Sequence, residues 1–197
     1  MNRFPFKSLL LATALAFVGT VSAAPVSYTL DPNHTMVLAS WSHFGYSHPV
    51  ANFGQVDGSL VYDADDIAAS SVKVSLPLAG LNSFSDDFDT HLRSADFFDA
   101  AKYPAITFSS TAVEAAGEGK LKITGDLTIK DITRSVVLDA TLNKAGEANG
   151  RPAIGFDAST TILRSDFGLG MYVPKVSDEV TLRITTEAHV PKPDVAE

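Results

Sequence analysis

The chain of 197 residues contains no cysteine, which excludes a disulfide framework, a thiolate metal site and a cysteine nucleophile together. Positive charge is scarce: 15 Lys and Arg stand against 23 Asp and Glu, a formal charge of −8. A surface field of that sign repels nucleic acid and anionic membranes, so neither is an expected partner. Beyond the first residues no apolar run approaches the roughly 20 residues of a spanning helix, so the chain is not expected to be an integral membrane protein. Catalytic signatures are missing as well. There is no GxSxG elbow and no HExxH pair, and His34, His43, His48, His91 and His189 are scattered along the chain. His34 with His43 is the least poor metal pair, but His43 shares an inward strand face with Trp41, where a buried histidine bonded to a carboxylate is expected instead. No catalytic residue, metal ligand or cofactor is assigned.

What is present begins with a leader. Arg3 and Lys7 precede the apolar run Ser8 to Val18, and Val21-Ser22-Ala23 supplies the small residues of a cleavage boundary. The pattern predicts a signal peptide over 1–23, cut after Ala23, rather than an uncleaved anchor. No cysteine lies at the boundary to carry a lipid. A Gram-negative periplasm is the expected location. Losing Arg3 and Lys7 takes the formal charge from −8 to −10. Residues 24–190 suit one domain with a single core, which must hold by packing alone. The segment 191–197, rich in Pro and charge, is expected to be a frayed tail.

Over the mature chain the dominant period is two, the signature of half-buried antiparallel strands. Val37-Ala39-Trp41-His43 share one face, as do Val72-Val74-Leu76-Leu78. The alternation returns in Ile106-Phe108, in Leu121-Ile123 through Gly125 to Leu127-Ile129, and in Val136-Leu138-Ala140-Leu142. Phe156-Ala158-Thr160-Ile162 and Val180-Leu182-Ile184 complete it, with a further strand near 53–62 bent at Gly54 and Gly58. The sum is an all-β chain of about eight strands, the number at which a closed barrel can hold one small ligand. Turns are expected at 116–119 and 130–133, with a longer Gly-rich loop over 145–152. A short turn is expected over 63–69, and a short helix over 86–95, acidic at its start and basic at its end.

Six ordered pieces then carry a resemblance. They are Asp31-Pro32-Asn33-His34-Thr35, the segment Asp89-Thr90-His91-Leu92-Arg93-Ser94-Ala95-Asp96-Phe97-Phe98-Asp99, Lys102-Tyr103-Pro104, Thr107-Phe108, Gly125-Asp126-Leu127-Thr128-Ile129 and Arg164-Ser165-Asp166-Phe167-Gly168. In this order, and with the strand ending at His43, they resemble the YceI-like family over nearly the whole mature chain. The resemblance implies a lipocalin-like antiparallel barrel that holds a long isoprenoid or related, quinone-like lipid in an internal tunnel. It also implies binding, sequestration or transport without catalysis.

On that reading the tunnel wall comprises Val37, Ala39, Trp41, His43 and Phe53, then Val74, Leu76, Phe108, Leu127 and Ile129, then Leu138, Phe156 and Ile162. The connection 83–102 places Phe84, Phe88, Leu92, Phe97 and Phe98 near one mouth as a partial lid. His91, Arg93 and Arg164 are the candidates for a polar or phosphorylated head group, since guanidinium forks suit phosphate. A structural alternative stands beside this: Asp89 and Arg93 are spaced to pair on one helix face, and Arg164 with Asp166 could close a barrel corner. Several positions depart from the family pattern. Ala39, Trp41, Ala51, Ser83-Phe84, Phe88 and Leu163 redistribute volume and make the long connection more apolar. Outward-facing Met36 and Leu38 leave room for a homodimer. The alternatives to a lipid carrier are a filled-barrel stress or interaction protein and, behind it, a metal-dependent enzyme.

Overall fold

Alternating apolar side chains bury one face of every strand, and the chain satisfies its strand edges by closing the sheet on itself. The computed structural model describes residues 24–192. The strands are β1 (Val26–Leu30), β2 (Met36–Ser40), β3 (Val50–Phe53), β4 (Asp57–Tyr62), β5 (Ser71–Pro77) and β6 (Leu81–Asn82), followed by β7 (Ala105–Gly117), β8 (Lys120–Ile129), β9 (Ile132–Ala148), β10 (Arg151–Leu163) and β11 (Glu179–His189). Hydrogen bonding runs β1-β4-β5-β7-β8-β9-β10-β11 and returns to β1, with β2, β3 and β6 continuing from β11. Every pairing is antiparallel.

The registers show why eleven segments make eight staves. β1 and β2 lie end to end against β11, with Leu30 opposite Ala188 and Met36 opposite Thr185. β4 and β3 pair with them in the same way, and β5 and β6 follow against β4 and β3. Three neighbouring staves are therefore each broken midway, at 31–35, 54–56 and 78–80. Two of the breaks touch: the Gly54 amide donates to the Gly80 carbonyl at 3.0 Å, and a Cβ on Gly80 would lie 2.2 Å from the Gly54 oxygen. Only glycine permits that approach.

The connections partly depart from expectation. The 145–152 loop is instead a two-residue turn, Asn149-Gly150, both at positive φ, with Ala148 opposite Arg151. Asn-Gly is the pair that a tight hairpin favours. Its flanking residues are mostly exposed, so no apolar face announced the strands there. Strand β1 adds to the expected set. Strand β2 stops at Ser40, and His43 instead makes isolated bridges with Ser47 and Val176. His43 is exposed, which corrects the expectation of a buried histidine held by a carboxylate. The 63–69 turn is a single 3₁₀ turn, Ile67–Ala69.

The helix α1 (Asp86–Arg93) sits in the long connection between β6 and β7. Ser85 caps it, its hydroxyl accepting from the Phe88 amide at 3.4 Å, and three aspartates in the first turn complement the helix dipole. Leu92 faces the barrel and is buried. The leader predicted over 1–23 and tail residues 193–197 lie outside the described residues.

Candidate functional site

The inward side chains do not meet in the middle. They leave a cavity of about 360 Å³ running along the barrel axis. At one end its wall comprises Trp41, Phe88, His91, Met171 and Tyr172, and at the other Tyr62, Val113, Leu121 and Phe156. Several of the polar side chains on this wall are already bonded within the protein. Thr35 in the 31–35 break and Thr186 on β11 share a 2.8 Å hydroxyl bond, and the Ser70 hydroxyl accepts from the Asp63 amide at 3.0 Å. The surface offered to a guest is almost wholly carbon, as in a site built to take up apolar chains.

Cross-strand fit shapes the wall. A Cβ on Gly125 would fall 2.4 Å from the Phe108 ring, so the missing side chain on β8 makes room for the aromatic on β7. The 83–102 connection packs its aromatic rings on the barrel. Phe98 meets Phe53 at 5.9 Å and near right angles, and Trp41 lies 6.0 Å from Phe88.

Most of the wall named from sequence lies on the cavity. Val37, Ala39, Trp41, His43 and Phe53 line it, as do Val74, Leu76, Phe108, Leu127, Ile129, Leu138, Phe156 and Ile162. From the connection, Phe88, Leu92, Phe97 and Phe98 line it too. Phe84 does not: it is 72% exposed. The wall also includes Leu30, Val56, Leu60, Val72, Ile106 and Leu182. Alternation reaches the strand residues among these, but not Val56 in the 54–56 break; no period marks Met171, Tyr172 and Val176, which come from the 164–178 connection.

The three head-group candidates separate. His91 stands on the wall with its ring edge-on to Phe97 at 4.7 Å. Arg93 does not line the cavity. Its Nε donates to the Leu78 carbonyl at 2.9 Å and its Nη2 to the Leu81 carbonyl, with Asp89 at 3.9 Å. It therefore bridges the break in the third stave. Arg164 borders the cavity but is buried and bonded through all three nitrogens: Nε donates to Ser177 O at 2.8 Å, Nη2 to Val176 O at 3.0 Å, and Nη1 to Leu169 O. Its charge partner is Asp178, so the expected pairing with Asp166 is replaced by a clamp on the 164–178 connection. Both arginines sit where the chain leaves the ladder and carbonyls need donors.

Electrostatics fits those roles. Burial pushes the Arg164 guanidinium down from its ordinary value and Asp178 opposes the shift. Asp178 is held low, first by the Ser165 hydroxyl at 2.6 Å. Burial pushes Asp89 up, but the Ser83 hydroxyl and amide, with Arg93, bring it below the carboxylate range. Outside the barrel, Asp31 accepts from His34 at 2.8 Å, which lowers the carboxyl and raises the imidazole. Among the described residues no group of three or more His, Asp or Glu is placed to hold a metal, and no helix is long and apolar enough to cross a membrane.

Residues 28–188 match the family model of the YceI-like domain. A UPF0312 protein of Pseudomonas putida (strain W619) is 39% identical over 170 residues, covering 86% of this chain and 88% of the relative. The crystal structure of Burkholderia cenocepacia BcnA superposes with a TM-score of 0.74 at 25% identity, covering 80% of this chain and 98% of that one. A polyisoprenoid binding domain from Saccharophagus degradans shares the fold, with a TM-score of 0.64 at 15% identity over 83% of this chain and 98% of that one.

Proposed function

The chain belongs to the YceI-like domain family, and on that premise we propose that it binds a long-chain, isoprenoid-like or quinone-like lipid inside the barrel and holds or carries it without chemical change. The observation that carries this reading is the apolar cavity of about 360 Å³ along the barrel axis. A filled barrel would leave no such space. Burying apolar surface is worth about 0.8 kcal/mol per CH₂, so each five-carbon isoprene unit supplies a few kcal/mol before ordering costs. A wall already in place keeps those costs low. The name borne by the Saccharophagus degradans neighbour supports the ligand class. His91 is proposed to meet the polar end of the lipid, because the two arginines already serve backbone carbonyls. The leader pattern over 1–23 supports a periplasmic setting for this carrier.

The test is direct. Protein purified from cells and extracted with organic solvent is expected to release a long-chain lipid seen by mass spectrometry. Ala158→Trp, which puts a large ring into the cavity, should lower the lipid carried per folded protein. If the parent protein repeatedly yields no lipid and takes none up on incubation, the proposal fails.

A further inference from the structure

One end of the barrel carries a rim of exposed aromatic side chains, with only Phe44 among them resting against a ring of the wall, edge-on to His43 at 4.7 Å. Phe44 is 45% exposed, Tyr46 92%, Phe84 72% and Tyr172 56%. They come from three connections far apart in sequence. The 41–49 and 164–178 connections are joined by backbone bonds, Phe44 N to Lys175 O at 2.8 Å and Ser177 N to Ser42 O at 2.9 Å. The third, holding Phe84, follows β6, whose Asn82 pairs with Asn52 on β3. Four residues beyond Phe84, Phe88 lies 6.0 Å from Trp41, which sets this connection beside the 41–49 one, and Val50 at the start of β3 is itself exposed.

Two further observations mark this rim as more than scattered surface residues. Phe44, Phe84 and Tyr172 all have positive φ, at 54°, 65° and 68°, a conformation that bulky side chains adopt at a cost and that clusters at functional sites. The rim is also continuous with the cavity. Tyr172 and Met171 line the tunnel wall and are still 56% and 37% exposed, so the wall reaches solvent between the exposed aromatics.

We propose that this rim docks the barrel mouth onto a lipid bilayer, so that the guest passes between membrane and tunnel without crossing water. The proposal rests on the lipid-binding reading above. The chemistry of the occupant follows from the guest: a chain that gains stability with every buried methylene comes from, and returns to, a phase of the same kind. Phe and Tyr suit the bilayer interface, the ring entering while the hydroxyl stays wet. Charge selects the surface. Asp86 and Asp87 are exposed beside Phe84, and the chain is net negative, so zwitterionic headgroups fit and anionic ones repel.

The experiment is vesicle flotation with phosphatidylcholine liposomes, paired with solvent extraction and mass spectrometry. The variant is Phe44→Asn, Tyr46→Ser and Phe84→Asn combined. None of the three lines the cavity, and Asn tolerates positive φ, so circular dichroism and carried lipid should match the parent. The parent should float, and the variant's partitioning should fall by at least about tenfold, in keeping with three apolar contacts removed. Liposomes enriched in phosphatidylglycerol should bind the parent less well at low salt. A parent that carries lipid yet stays off the vesicles, or a variant that floats as well as the parent, overturns the docking rim. A parent that floats but carries no lipid leaves the rim standing and overturns the carrier.

Discussion

Replacing Arg164 with Met asks whether this buried cation holds the barrel corner or waits for a head group. The side chain makes three hydrogen bonds to carbonyls, those of Leu169, Val176 and Ser177. All three oxygens lie in the 164–178 connection, which has little ladder of its own. Hydrogen bonds to a charged group are worth about 1.5–3 kcal/mol each, while Met avoids the cost of keeping a cation buried, so a net loss of about 3 kcal/mol is expected. With a urea dependence of roughly 2 kcal/mol per molar for a domain of this size, the unfolding midpoint should fall by about 1.5 M. Trp41 is the chain's one tryptophan and stands on the cavity wall at the lid end, so its fluorescence reports the transition. Arg164→Lys should recover little, because one ammonium cannot reach the three carbonyls that a planar fork serves. A Met variant within about 0.5 kcal/mol of the parent, having lost its lipid, would refute the clamp and restore the head-group role.

Two other expectations follow from the same contacts. Gly125→Ala forces the Phe108 ring aside and should cost about 1–3 kcal/mol of stability by thermal unfolding, and adding Phe108→Leu should return part of it; strictly additive losses would contradict the contact. Asp89 has a folded-state pKa below its unfolded one, so its stabilisation is complete above the unfolded value and lost as pH falls from there through the lower folded-state value. Asp89→Asn should therefore be less stable than the parent near neutrality, with the gap closing in acid. A gap that stays constant with pH would show that its carboxylate charge is irrelevant.

Legibility in the sequence tracked burial. Where one face packs against the interior, as in Val37-Ala39 or Leu127-Ile129, the two-residue period named both the strand and the wall. Where both faces meet solvent, as over 143–148, there was no contrast to read and strands passed for a loop. Phe84 shows the opposite failure. Its aromatic character suggested the lid, but its backbone at positive φ directs it outward. The charge and fork of Arg93 and Arg164 suit a head group. Their partners are carbonyls exposed by breaks in the ladder, and a carbonyl has no signature in sequence.

By itself the sequence determined the strand period, the approximate number of staves, the capped helix and the family, because these rest on local spacing and residue order. Tertiary structure alone decided that three staves break side by side and that the cavity remains open. It also decided that both arginines turn to the backbone and that the 41–49 and 164–178 connections are joined. Those outcomes depend on which residues face each other across the closed sheet, and register is set by the whole barrel rather than by any stretch of it.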